Sequence, residues 1–272
     1  MSNAIKDSLE FYNFDEMFNF LTNEEMRTVG WRLNSAPRDD YEFPIHKNIE
    51  EPCIVLNKEF EESDFKIQGL INNLLNRKST LLNELDTPWD FSDLEKLLVL
   101  SAGCRDEERY YPRKDKFIKI SLRTYPSGGA LYPVKTYFYA NRIKGLESGF
   151  YYFDAVDNAI CKINDAVSLE ELEGLFPMSS LKLDKRSNSL DQSAAIIFMV
   201  ADYKYNFRKY GQLSYRLTLL EAGHMTQNMQ LISTALGKNS LPICGLYPEK
   251  VEEVLGIRKN KYKHCIYGIV LG

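Results

Sequence analysis

The stretch Arg123-Thr124-Tyr125-Pro126-Ser127-Gly128-Gly129-Ala130-Leu131-Tyr132-Pro133, running into Val134-Lys135-Thr136-Tyr137-Phe138-Tyr139-Ala140, decides how the fold is read. A Pro/Gly turn here delivers a run of β-branched and aromatic residues, which is the composition of a strand. Working outward, Gly149 to Asp154 and Ala159 to Ile163 read as a hairpin pair, Ala194 to Ala201 as a buried strand, and Cys265 to Leu271 as a final strand. Helical spacing appears in Ile67, Leu70, Ile71, Leu74 and Leu75 and in Asp90 to Cys104, with Ser92 expected as N-cap, Glu95 at the capping-box position and Gly103 as the stop. Ser168 to Leu172 reads as a short capped helix. Tyr215 to Leu236 reads as a long amphipathic helix ending at Gly237. A charged loop is expected over Arg105 to Lys119 and another over Arg208 to Arg216. Helices and strands interleave without a regular βαβ rhythm, so the expected class is α+β.

The 272 residues carry 34 Lys+Arg against 38 Asp+Glu, a net charge of −4, and are 44% hydrophobic. That composition belongs to a globular chain rather than a disordered one. The mild acidity argues against a nucleic-acid partner, which calls for a basic face. The longest apolar run, Ala194 to Ala201, is strand-sized, so no membrane span is expected. The polar start MSNAIKDSLEF gives no secretory signal, and five scattered cysteines without a CxxC pair fit free thiols in a reducing cytoplasm. Three histidines with no HExxH or Cys/His cluster give no metal site. Acid–base chemistry therefore rests on Lys, Tyr or carboxylates. Seventeen tyrosines are either core packing or a groove for a flat or extended ligand; composition does not choose.

Residues 1–65 differ in character from the rest of the chain. After a helical stretch around Asp15 to Leu21, Pro37, Pro44 and Pro52 punctuate irregular chain. They read as an N-terminal extension, for partner or peptide docking or for wrapping a dimer, ahead of a domain over 66–272.

Three local signals carry chemistry. In Pro126-Ser127-Gly128-Gly129, two glycines let backbone N–H groups approach a ligand, although a plain turn is the ordinary meaning of such a sequence. Arg77-Lys78-Ser79 sets two cations and a hydroxyl at a helix end, enough to neutralise a phosphate or simply to complement the helix dipole. In Arg208-Lys209-Tyr210-Gly211-Gln212-Leu213-Ser214-Tyr215-Arg216, Lys209 and Tyr210 form a candidate proton-transfer pair. A free lysine held neutral at pH 7 costs about 4.6 kcal/mol unless burial or a nearby cation lowers its pKa.

Taken with Leu219-Leu220-Glu221-Ala222-Gly223-His224-Met225-Thr226-Gln227-Asn228 and Cys244-Gly245, these motifs make residues 66–272 resemble the FMN-dependent nitroreductase-like superfamily. Within it the chain is most similar to the SagB-type dehydrogenases, the azoline oxidases of microcin B17-like synthesis. The resemblance implies an antiparallel-rich sheet flanked by helices and a homodimer with flavin near its interface. Arg77, Lys78 and Ser79 would then meet the FMN phosphate and ribityl chain. Pro126, Ser127, Gly128 and Gly129 would touch the isoalloxazine, typically from the second subunit. Cys244 and Gly245 would offer backbone N–H groups to the flavin N5 edge, and Lys209 with Tyr210 would remove the substrate proton. Leu81 stands where the superfamily usually has an arginine, which makes Arg123 and Arg216 the further candidates for phosphate charge. The implied activity is oxidation of thiazoline or oxazoline rings in a ribosomally made peptide, beside a YcaO-type cyclodehydratase. The alternatives are a generic NAD(P)H-dependent nitro or quinone reductase, which needs no Lys–Tyr pair, and a non-catalytic scaffold subunit.

Overall fold

A computed structural model describes residues 53–55, 67–113, 116–177 and 190–272. The expectations for residues 1–52 and 56–66 lie outside it. In chain order the elements are β1 (Cys53–Val55), α1 (Ile67–Asn76), β2 (Trp89–Asp90), α2 (Phe91–Ala102), β3 (Cys104–Arg113), β4 (Lys116–Arg123), β5 (Val134–Ala140), β6 (Ile143–Lys144), β7 (Gly149–Asp154), β8 (Ala159–Asp165), α3 (Leu169–Glu173), β9 (Ala195–Asp202), α4 (Tyr203–Tyr210), α5 (Leu213–Ala235), β10 (Ser240–Ile243), α6 (Pro248–Val254) and β11 (Lys263–Leu271).

The main sheet has seven strands in the order β1-β8-β7-β5-β9-β11-β10, every neighbouring pair antiparallel. Strand β9, in the sheet interior between β5 and β11, is apolar at nearly every position because both faces are covered. Ile197 and Met199 pack with Leu94 and Leu97 of α2 and Met225 and Met229 of α5. Ile196, Phe198 and Val200 pack on the other face with Leu172 of α3 and Val251 of α6. The α+β expectation holds. Among the described residues no helix is long and apolar enough to cross a membrane.

Several expectations are corrected. The N-cap of α2 is Asp90, not Ser92. Asp90 accepts the Asp93 N–H at 2.9 Å, and Asp93 accepts the Asp90 N–H at 3.3 Å, so the reciprocal pair sits two residues earlier. The expected charged loop 105–119 is largely the hairpin β3–β4, a separate two-stranded sheet in which Tyr110 pairs with Lys119 and Arg113 with Lys116. At its base Ile120 and Leu122, two residues apart, enter the core, the period-2 pattern that the flanking charge hid. The loop expected over 208–216 is the end of α4 and the start of α5, joined at Gly211, whose φ of +57° is a left-handed turn few other residues adopt. Nor are all the cysteines thiols. Cys161 is disulfide-bonded, and the β1–β8 register sets Cys53 opposite it, while Cys104, Cys244 and Cys265 are free.

Part of the tyrosine excess is core. Tyr125, Tyr132, Tyr137, Tyr139 and Tyr151 are buried, and β5 and β7 pair Tyr137 with Tyr152, Phe138 with Tyr151 and Tyr139 with Phe150 at ring separations of 4.7–5.1 Å.

Candidate functional site

The glycine turn sits between β4 and β5, against α5. Gly129 has φ +65°, and a Cβ there would overlap the Lys209 Nζ and Tyr210 Oη atoms at the end of α4. A Cβ on Gly128 would press on the Leu217 side chain of α5 at 3.1 Å. Positive φ favours glycine at 129, both glycines leave room for these side-chain ends, and two motifs 80 residues apart in sequence (209 − 129 = 80) meet here. Lys209 Nζ lies 5.0 Å from the Tyr210 ring centroid. Burial pushes the Tyr210 hydroxyl up, which favours a neutral phenol that donates a hydrogen bond rather than a phenolate base.

Behind the turn is a group of buried charges. Ser127 Oγ donates to Glu221 Oε2 and accepts the Tyr132 N–H at 3.0 Å, while Glu221 Oε1 accepts the Val134 N–H at 3.0 Å. Burial, first, pushes the Glu221 carboxyl up to about 7, against the hydrogen bonds from Ser127 and Val134 and the nearby Lys135 and Arg123. Burial also brings the Lys135 ammonium down to about 8, assisted by Arg123, and its Nζ donates to the Tyr132 carbonyl at 3.1 Å. Arg123 points inward, Nη1 donating to the Ala102 carbonyl at 3.4 Å with the guanidinium 5.3 Å from the Tyr132 ring centroid. Pro126 is exposed at the start of the turn, and Arg216 is half-buried in the first turn of α5.

A second cluster gathers at the other end of α5. Buried Gln230 accepts from Arg77 Nη1 at 3.5 Å and donates to Ser79 Oγ at 3.3 Å, so one amide ties both residues to the long helix. Lys78 is exposed beside them. The Thr80 N–H donates to the Ser240 carbonyl at 3.1 Å, which joins this segment to the start of β10, and Cys244 and Gly245 follow directly at the end of that strand. Cys244 is an exposed free thiol, and Leu81 is exposed after Thr80.

Gln230 and Glu221 are nine residues apart on α5 (230 − 221 = 9), about 13 Å along the axis at 1.5 Å per residue. The candidate residues therefore form two groups, Arg77, Lys78 and Ser79 with the β10 end, and Ser127, Gly128 and Gly129 with Lys209 and Tyr210. Glu221 and Gln230 were missed as site residues, although the sequence held a signal. They lie on the buried stripe Thr218, Glu221, Ala222, Met225, Thr226, Met229, Gln230 and Ser233, where a carboxylate and an amide call for partners.

A doubly covered antiparallel sheet carries a glycine turn beside an amine and a phenol, all within an α+β scaffold. Comparison with known proteins gives the particular family. The Nitroreductase family pattern matches residues 85–272, well over half the chain, and the chain belongs to that family of flavin-dependent oxidoreductases. It is 24% identical over 189 residues to a provisionally named nitroreductase of Methanocaldococcus jannaschii, covering 70% of this chain and 85% of that one. The fold is shared with a provisionally named nitroreductase of Anabaena variabilis (TM-score 0.61, 24% identity, 86% of this chain), although this chain spans only 43% of that one. It is also shared with a chain of the E. coli microcin synthetase McbBCD complex with truncated pro-MccB17 bound (TM-score 0.56, 19% identity, 80% of this chain and 77% of that one).

Proposed function

We propose that this protein is an FMN-dependent azoline dehydrogenase, which oxidises thiazoline or oxazoline rings to thiazoles or oxazoles in a ribosomally made peptide. The observation that carries the reading is the meeting of Gly129 with Lys209 Nζ and Tyr210 Oη, which sets a candidate base and a proton donor against the turn that approaches the flavin. A nitro or quinone reductase has no need of such a pair. Similarity of fold to a chain of the microcin synthetase complex, whose structure holds a pro-peptide, supports a peptide substrate and a partner complex, and a YcaO-type cyclodehydratase is part of the same proposal.

The residues present fit the cofactor. Arg77 and Ser79, tied to α5 by Gln230, with Lys78 between them, suit a phosphate, and the Gly128-Gly129 backbone, free of side chains, suits the approach of a flat ring. Cys244 and Gly245 offer backbone N–H groups at the end of β10. When bound, FMN supplies the two-electron acceptor for the hydride that the azoline ring loses. Lys209 takes the acidic Cα proton at its Nζ. Tyr210, kept neutral by burial, donates a hydrogen bond that orients the ring or the lysine. The second subunit of a homodimer completes the site.

Mass spectrometry of an azoline-bearing peptide incubated with the purified protein tests the reading. Loss of about two mass units per ring, one hydride and one proton, is the expected result. Rapid NAD(P)H oxidation with the peptide unchanged would establish the generic reductase instead.

A further inference from the structure

The turn between Ser127 and Val134 is strained. Gly129, Ala130 and Tyr132 have φ of +65°, +54° and +49°, and two of the three carry side chains. Non-glycine residues persist in that region only where the surroundings over-determine them. Here the determining contacts converge on one carboxylate. Glu221, 2% exposed, accepts the Ser127 hydroxyl with one oxygen and the Val134 N–H with the other, so a single side chain of α5 closes both ends of the turn. Ser127 Oγ passes the restraint on by accepting the Tyr132 N–H. The charges facing Glu221 are Arg123 at the end of β4 and Lys135 of β5. Across the turn, Gly129 abuts Lys209 and Tyr210.

We infer that Glu221 is a positioning residue, clamping the Ser127–Val134 turn so that the Gly129 backbone is held against the Lys209–Tyr210 pair. Its effect on turnover rests on the azoline-dehydrogenase reading, whereas the clamp itself does not. A leucine at this buried helical position would pack without desolvating a carboxylate, so the acid's contribution is geometric.

The experiment uses the full-length protein with Glu221→Leu, Glu221→Gln and Ser127→Ala. The first readout is amide hydrogen exchange at Tyr132 and Val134. Exchange is expected to rise by about tenfold or more in Glu221→Leu and to return to within about threefold of wild type in Glu221→Gln. Unchanged exchange in folded Glu221→Leu overturns the clamp. Should that variant fail to fold, Ser127→Ala decides by exchange at Tyr132. The second readout is azole formation. A fall in kcat of about tenfold with KM within about threefold, recovered in Glu221→Gln and not deepened by combining Ser127→Ala with Glu221→Leu, supports positioning. Faster exchange with kcat at the wild-type value overturns positioning. If the wild type itself forms no azole, the functional reading fails and the exchange data still judge the clamp.

Discussion

Gly129 is a position where one methyl group has two costs. An alanine there would sit at φ +65°, which disfavours any L side chain by about 1–2 kcal/mol, and its Cβ would displace Lys209 and Tyr210. Gly129→Ala is expected to lower stability by about 1–3 kcal/mol in urea unfolding and to cut azole formation more than about tenfold. A variant as active as wild type would show that the contact has no role in turnover. Lys209→Ala and Tyr210→Phe, by contrast, remove the proposed base and the proposed orienting hydroxyl and leave the turn in place. Both are expected to abolish azole formation with bound flavin retained by absorbance, whereas flavin loss in both would make this segment structural. Glu221 brings a pH dependence. Its carboxyl, ordinarily at 4.5, is pushed up to about 7, so between those values the folded state holds a proton that the unfolded chain releases. This contribution to stability is complete below pH 4.5 and is lost as pH rises through 7. Glu221→Gln removes the titration, so the stability difference, variant minus wild type, should move in the variant's favour from pH 4.5 to about 7 and then level off. A difference flat in pH would sink this account. Of these residues, the glycines and the Lys–Tyr pair were legible in sequence as motifs. The carboxylate that joins the turn to α5 was not, because its partners are a hydroxyl and a backbone amide distant in sequence.

At the scale of elements, the sequence pattern located α1, α2, α3 and α5 and strands β5, β7, β8, β9 and β11, and local chemistry misled where two readings competed. Ser92 looked like a cap because serine caps well, yet Asp90 and Asp93 satisfy each other's N–H groups and set the start of α2. Asp90→Ala is therefore expected to cost about 1 kcal/mol in urea unfolding and Ser92→Ala far less; the reverse order would return the cap to Ser92. The β3–β4 hairpin has the look of a loop in sequence because its charges hide the alternation, and only the pairing of one strand with the other reveals it. The apolar face of α1 was legible as a stripe, but not its surroundings: Leu70, Ile71, Leu74 and Leu75 are exposed rather than packed in the core.

That exposure bears on the whole molecule. Helix α1 packs beside α5, which itself exposes Tyr215, Leu219 and Leu220, so two neighbouring helices present apolar side chains outward. Gly223 is also exposed, in the middle of α5, with nothing among the described residues within 4 Å of where its Cβ would lie. A mid-helix glycine costs about 1 kcal/mol relative to alanine, and close approach of another backbone is a physical reason to keep one. The order of strands in the sheet and the pairing of β1 with β8 were not legible, since both depend on contacts between distant segments. Glu221 and Gln230, which anchor the two groups of candidate residues, stand about 13 Å apart along α5, and in the proposed homodimer a second copy completes the site. The expectation is a dimer of twice 31.5 kDa by analytical ultracentrifugation. The combined variant Leu219→Glu and Leu220→Glu places two charges on that face and, on the proposed homodimer, should yield a folded monomer with flavin and azole formation lost together. A wild-type monomer at micromolar concentration that still holds flavin would overturn the shared site, and a variant that turns monomeric while keeping flavin and turnover would show that each subunit is complete alone.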